Sequence, residues 1–145
     1  MKNIAKTIID STNGQLKISD QFIVSKNSTS DDLFGHYKSS DIEVWDVNNG
    51  FIHYTIMDVK LQEKYFFFSF CFFRDRFDSL RFGFKNQPGM LSWDDWSEAK
   101  EIQNKVEHDH WLNSEIGPGR IFQWGKIDAY YDPKGGGSGI LLRYS

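Results

Sequence analysis

The run from Tyr65 to Phe73, Tyr-Phe-Phe-Phe-Ser-Phe-Cys-Phe-Phe, constrains this chain more than any other stretch. It has no helix breaker, suits a strand and is short for a buried helix. Successive strand side chains point to opposite faces. Phe66, Phe68, Phe70 and Phe72 therefore share one face, and Tyr65, Phe67, Ser69, Cys71 and Phe73 the other. Four stacked phenyl rings cannot face water, and the second face is also mostly apolar. The spacing predicts a central strand covered on both sides, with the rest of the chain supplying the cover.

The neighbouring segments read as partners for that strand. Asp41 to Val47 is a strand, with Ile42 and Val44 on one face and Trp45 and Val47 on the other. Asn48-Asn49-Gly50 is a hairpin turn, because Asn and Gly tolerate positive φ. The return strand, Phe51 to Leu61, places Ile52, Tyr54 and Ile56 on one face and Phe51, Met57, Val59 and Leu61 on the other. Gln62-Glu63 is a tight connection into the Phe-rich run. Past Arg74 to Asp78, the segment Ser79 to Lys85 alternates Leu80, Phe82 and Phe84 against Ser79, Arg81 and Lys85. One wet side suits a strand toward a sheet edge. Together these strands make an antiparallel meander.

The flanks add helix and further strands. Lys2 to Ile9 has the spacing of a short helix, and Leu16/Ile18 with Phe22/Val24 fits two short strands. Ser28-Thr29-Ser30-Asp31-Asp32 is a helix start, with capping hydroxyls and acids at the positive end of the dipole. The long helix is placed at about 92–115. It opens on Ser92-Trp93-Asp94-Asp95 as a weak capping box, carries the stripe Trp96, Ala99, Ile102, Val106, and stops at Gly117-Pro118-Gly119. From Ser92 to Ile116 there are seven acids and two lysines, which predicts an apolar stripe on the sheet and an acidic back toward water. Arg120 to Tyr131 and Gly139 to Tyr144 read as a terminal hairpin. The fold class expected is α+β, one domain over 1–145. An antiparallel, mainly meander sheet of about six to eight strands carries the long helix on one face, with short N-terminal helical segments.

Charge and composition narrow the function classes. A net charge of −3 gives no attraction to nucleic acid, and the only basic–aromatic cluster, Arg74, Arg76 and Arg81, is offset by Asp75 and Asp78. No apolar run approaches a membrane span. The first residues do not read as a signal peptide, and one cysteine within a core strand fits a reducing, cytoplasmic setting.

Chemistry is sparse. In Lys134-Gly135-Gly136-Gly137-Ser138-Gly139 the lysine precedes its glycines and a strand follows, the reverse of a phosphate-binding loop. His108 and His110, two apart on a helix, diverge by about 200° and cannot chelate one ion. Cys71 among phenylalanines is a poor nucleophile. No cofactor or metal is called for, and an enzyme is not expected. Protein recognition remains: acids for steering and rings for anchors. The candidate partner-binding residues are Asp94, Glu98, Glu101, Glu107, Tyr130, Tyr131 and Asp132. The rival readings are a small-molecule-binding or hydrolytic domain with a pocket between sheet and helix, and a homodimer formed through an edge strand.

Two blocks carry a resemblance. Ser92-Trp93-Asp94-Asp95-Trp96-Ser97 with His108-Asp109-His110-Trp111-Leu112, and Trp124-Gly125-Lys126-Ile127 with Tyr131-Asp132-Pro133-Lys134-Gly135-Gly136-Gly137-Ser138-Gly139-Ile140, resemble a group of small bacterial proteins without an assigned activity. In size, acidity and style the chain also looks like the immunity proteins of bacterial toxin systems. That resemblance implies a protein partner, such as a toxin domain, and action by occlusion. It implies no site residues.

Overall fold

A computed structural model describes residues 7–88 and 96–145. Its elements run β1 (Leu16–Ser19), β2 (Phe22–Val24), α1 (Ser30–His36), a 3₁₀ turn (Ser39–Asp41), β3 (Glu43–Asp46), β4 (Phe51–Leu61), β5 (Lys64–Phe73) and β6 (Arg76–Lys85). Then follow α2 (Glu98–Ile116), β7 (Ile121–Phe122), β8 (Gly125–Asp132) and β9 (Gly137–Tyr144). The fold is α+β. A seven-stranded antiparallel sheet has the order β3-β4-β5-β6-β9-β8-β7, beside a small β1–β2 hairpin. The Phe-rich run is the third strand of the large sheet, and the terminal hairpin extends that sheet by pairing β9 with β6.

Phe66, Phe68, Phe70 and Phe72 are all buried. They pair with Phe84, Phe82, Leu80 and Phe77 of β6. Trp111 of α2 closes over Phe66 at 5.7 Å between ring centroids, and Phe22 of β2 stacks on Phe70 at 6.0 Å. The same core takes in Leu33 of α1, Leu112 of α2 and Ile127 of β8. At about 25 cal/mol per Å² of apolar surface removed from water, such a ring-built layer is the main stabilising contribution to the fold. The expectation of cover on both sides is corrected. On the second face Cys71 is buried, but Tyr65, Phe67, Ser69 and Phe73 are only half-buried.

Several boundaries move for physical reasons. The Gln62-Glu63 and Arg74-Asp75 turns are two-residue connections with every φ positive, between 48° and 66°. Such left-handed turns match the twist of the strands they join. The second lets β6 begin at Arg76, three residues before the expected Ser79, and brings Phe77 within 5.3 Å of the Phe72 ring. In β4 the register slips between Ile56 and Val59, with Asp58 at φ 57°. This bulge turns the strand over, so Val59 and Leu61 join Tyr54 and Ile56 on the core side instead of opposing them.

Helix α1 starts where its acids and hydroxyls demand: Thr29 Oγ1 accepts from Asp32 N–H, and the Asp32 carboxylate accepts from Thr29 N–H. Residues 7–9 are not helical; Ile9 bridges Leu16, and the remainder of the segment expected as a helix from Lys2 lies outside the described residues.

Helix α2 begins at Glu98, not at 92. Its cap is Ser97, whose hydroxyl accepts from Lys100 N–H, while Trp96 stands outside the helix. Gly117 ends it at φ 80°. Arg120 then folds back, donating to the carbonyl of Gly117 and the Asn113 side chain, both at 2.8 Å.

Candidate functional site

Helix α2 does not present the face its sequence suggested. The residues that bury against the sheet are His108, Trp111 and Leu112. The stripe expected in the core points the other way: Ala99 is exposed, Ile102 is 44 % and Val106 39 % exposed. Helical geometry accounts for this, since residues 108, 111, 112 and 115 fall on the side opposite 99, 102 and 106. The solvent ridge of α2 is therefore apolar, with the exposed acids Glu98 and Glu107 beside it.

His108 is why a face with so few aliphatics can be buried. Strand β9 pairs with β6 only from Leu80 to Phe82, leaving Phe84 beyond the last pair. His108 Nε2 accepts the Phe84 N–H at 3.4 Å, and the imidazole meets the Phe84 ring edge-on at 4.8 Å. A ring nitrogen that accepts is unprotonated, so the neutral ring carries its proton on Nδ1, which has no partner. Burial holds the His108 pKa down at about 4, with the Asp109 carboxylate opposing. Two residues on, His110 is exposed, so the pair diverges as its spacing requires.

Glu115 ties a second layer to the helix. Its Oε1 accepts from the N–H groups of Ile8 at 2.6 Å and Ile9 at 2.9 Å, and its Oε2 accepts from Gln62 Nε2. Gln62 in turn accepts from Trp111 Nε1 at 2.8 Å. These partly buried donors and acceptors satisfy one another, which is the condition for placing them there.

The expected partner-binding residues come together in part. The first turn of α2 meets the β8–β9 end of the sheet. Ser138 Oγ donates to Glu101 Oε2 at 2.6 Å, and Trp96 Nε1 donates to the Gly136 carbonyl at 2.7 Å. Gly136 sits at φ 70°, where an added Cβ would lie 3.2 Å from the Trp96 indole. Partial burial, with the Glu98 carboxylate beside it, holds the Tyr131 phenol above its ordinary range. Tyr130 is raised by burial, and Arg81 stands 5.6 Å from its ring. Asp132 is exposed at the turn and accepts from Lys134 N–H. Glu98, Glu101, Tyr130, Tyr131 and Asp132 thus belong to one end of the molecule. Glu107 lies further along α2 and exposed, and Asp94 lies outside the described residues.

A cleft of about 240 Å³ opens between α2 and the ends of β5 and β6, lined by Phe67, Phe84, Lys85, Glu101, Asn104 and His108 among others. Cys71 sits 3.9 Å from His53 Nε2, and burial pushes its thiol up. Among the described residues no three His, Cys, Asp or Glu side chains are grouped to hold a metal ion, and no helix is long and apolar enough to cross a membrane. The sequence reading did not anticipate the exposure of Trp45, at 66 %, on β3. The signal was present, since Trp45 lies on a strand next to a hairpin with acids on either side.

Comparison with family models, with curated proteins and with solved structures finds no match for this chain.

Proposed function

We propose that this chain is a non-enzymatic module that binds another protein through the outer ridge of α2 and the adjoining β8–β9 end. The observation that carries this reading is the exposure of Trp96, Ile102 and Val106 in one acid-flanked region. Glu98 and Glu107 are the exposed acids beside that ridge, while Glu101 bonds Ser138, Asp109 pairs with Lys105 and Glu115 holds the N-terminal layer. An apolar centre within a charged rim is the anatomy of a recognition surface, where rings and aliphatics anchor and charges steer. The partner is a protein with an apolar groove and a basic margin, as the acids here require for complementarity. Occlusion of a toxin domain, the action implied by the resemblance to immunity proteins, is the form we adopt, with a cytoplasmic setting.

The test is to look for a toxin-like reading frame in the genes adjoining this chain's own and co-express its product, followed by measured binding of the purified pair. Ile102→Asp combined with Val106→Asp is expected to weaken binding at least about tenfold, or about 1.4 kcal/mol. Charge reversal at Glu98 and Glu107 is expected to slow association and flatten its salt dependence. No protection of cells and no complex would refute the reading, and unchanged affinity in the double Asp variant would remove α2 from the interface.

The cleft beside His108 favours a second reading, a small-molecule site, because polar side chains converge there over aromatic rings. Asn104→Trp, which fills the cleft, separates the two: it abolishes small-molecule binding and leaves docking on the outer ridge intact.

A further inference from the structure

The two edges of the large sheet are finished differently. At one edge β7 is only Ile121–Phe122, too short to template another strand. At the other, β3 is four residues long and exposed throughout, with Val44 56 % exposed on one face and Trp45 66 % exposed on the other. An edge strand with one largely exposed apolar side chain on each face leaves surface that one more strand would cover from both sides at once.

The backbone of β3 is set to receive that strand. Val47 N–H donates to the Phe51 carbonyl at 3.1 Å, and the register continues through Asp46↔Ile52, Trp45↔His53 and Val44↔Tyr54. Hydrogen-bonded and non-bonded pairs alternate along an antiparallel ladder. Val47, Trp45 and Glu43 therefore spend their hydrogen bonds on β4, and the N–H and C=O groups of Val44 and Asp46 point to the outer edge. From these two observations, the doubly exposed apolar pair and the outward amides, we infer that β3 captures an extended segment of another protein as an eighth strand.

Charge selects the chemistry of that segment. Asp41, Glu43 and Asp46 outnumber Arg81, the one cation among the described residues that line the groove with Glu43 and Trp45, so a second copy of the chain would set six carboxylates along one short ladder. A basic segment is matched instead. Arginine and a β-branched residue in alternation would place one guanidinium on Glu43 and the next over the Trp45 indole, whose other face stacks on His53 at 5.4 Å. The β-branched positions would cover Val44. This is strand addition, with main-chain bonds supplying affinity and alternate side chains supplying selectivity. It uses the sheet edge far from α2 and stands independently of the function proposed above.

The probe is a short capped peptide of alternating Arg and Val, with an alternating Glu and Val peptide as control. The expected result is a salt-sensitive change in tryptophan fluorescence with slowed hydrogen exchange at the Val44 and Asp46 amides, for the basic peptide alone. Val44→Pro removes an outward donor without touching the β3–β4 ladder and is expected to abolish binding, with the thermal transition retained. Trp45→Ala is expected to weaken binding at least about tenfold. Ile102→Asp with Val106→Asp is expected to leave it unchanged. Equal binding of the acidic peptide, or full binding by both Val44→Pro and Trp45→Ala, would overturn the proposal. So would concentration-dependent protection of the two amides without peptide, which would assign the edge to self-association.

Discussion

Acid should destabilise this fold through one histidine, and the size of the effect follows from its surroundings. His108 is 3 % exposed and is held neutral to a pKa of about 4, against 6.5 when free. The ring meets Phe84 through its backbone N–H and its phenyl ring; Asp109 is the charge that acts on it, and Glu101 and Lys85 line the neighbouring cleft. Because the folded value is depressed, the unfolded chain takes up the proton first. Stability is then at its full value above about pH 6.5 and falls as the pH drops from there toward 4. At 1.36 kcal/mol per unit, the loss across that window is roughly 3 kcal/mol. The assay is urea unfolding at fixed ionic strength between pH 7 and 4, for the natural chain and for His108→Gln. Carboxylates and the other three histidines are common to both, so their contributions cancel in the difference. The variant should start lower, having lost the ring contact with Phe84, and the two curves should converge on acidification. Parallel curves would refute the reasoning, as would an NMR titration in which His108 protonates near its ordinary value.

Two further substitutions probe how the N-terminal layer is held. Glu115→Ala leaves the Ile8 and Ile9 amides without their carboxylate acceptor and strips Gln62 of a partner. The expected cost is roughly 2–4 kcal/mol by chemical denaturation, with the Ile9–Leu16 bridge exchanging its amide hydrogens faster. Gly14→Ala drives a Cβ into the Trp124 ring at φ 76°, where only glycine is at ease. It should cost at least about 1–3 kcal/mol and disturb the bond from Trp124 Nε1 to the Ser11 carbonyl, both readable from the melting transition and indole fluorescence.

The meander was legible because alternation of period two is written directly into residues 51–85, and the Phe66 to Phe72 face could be assigned from spacing alone. What escaped were features that no composition marks. Arg74-Asp75 turns the chain with positive φ but without glycine or asparagine, and the Asp58 bulge silently reverses which side Val59 faces. The helix face was misassigned for a deeper reason. An apolar stripe at Trp96, Ala99, Ile102 and Val106 implies a core only if that side meets the sheet. Here Ser97 caps the helix, Trp96 leaves it to bond Gly136, and Trp111 fixes the opposite side on Phe66 and Phe84. Once Trp111 and Leu112 are anchored, helical geometry sends Ile102 and Val106 outward. The buried side then has to accommodate a histidine, which it does by giving that ring an unpaired strand amide to bind. The polar residue in the core and the apolar residues in water are consequences of one rotation of α2 about its axis. That rotation also places Ala99, Ile102 and Val106 on the side of the helix facing away from the sheet.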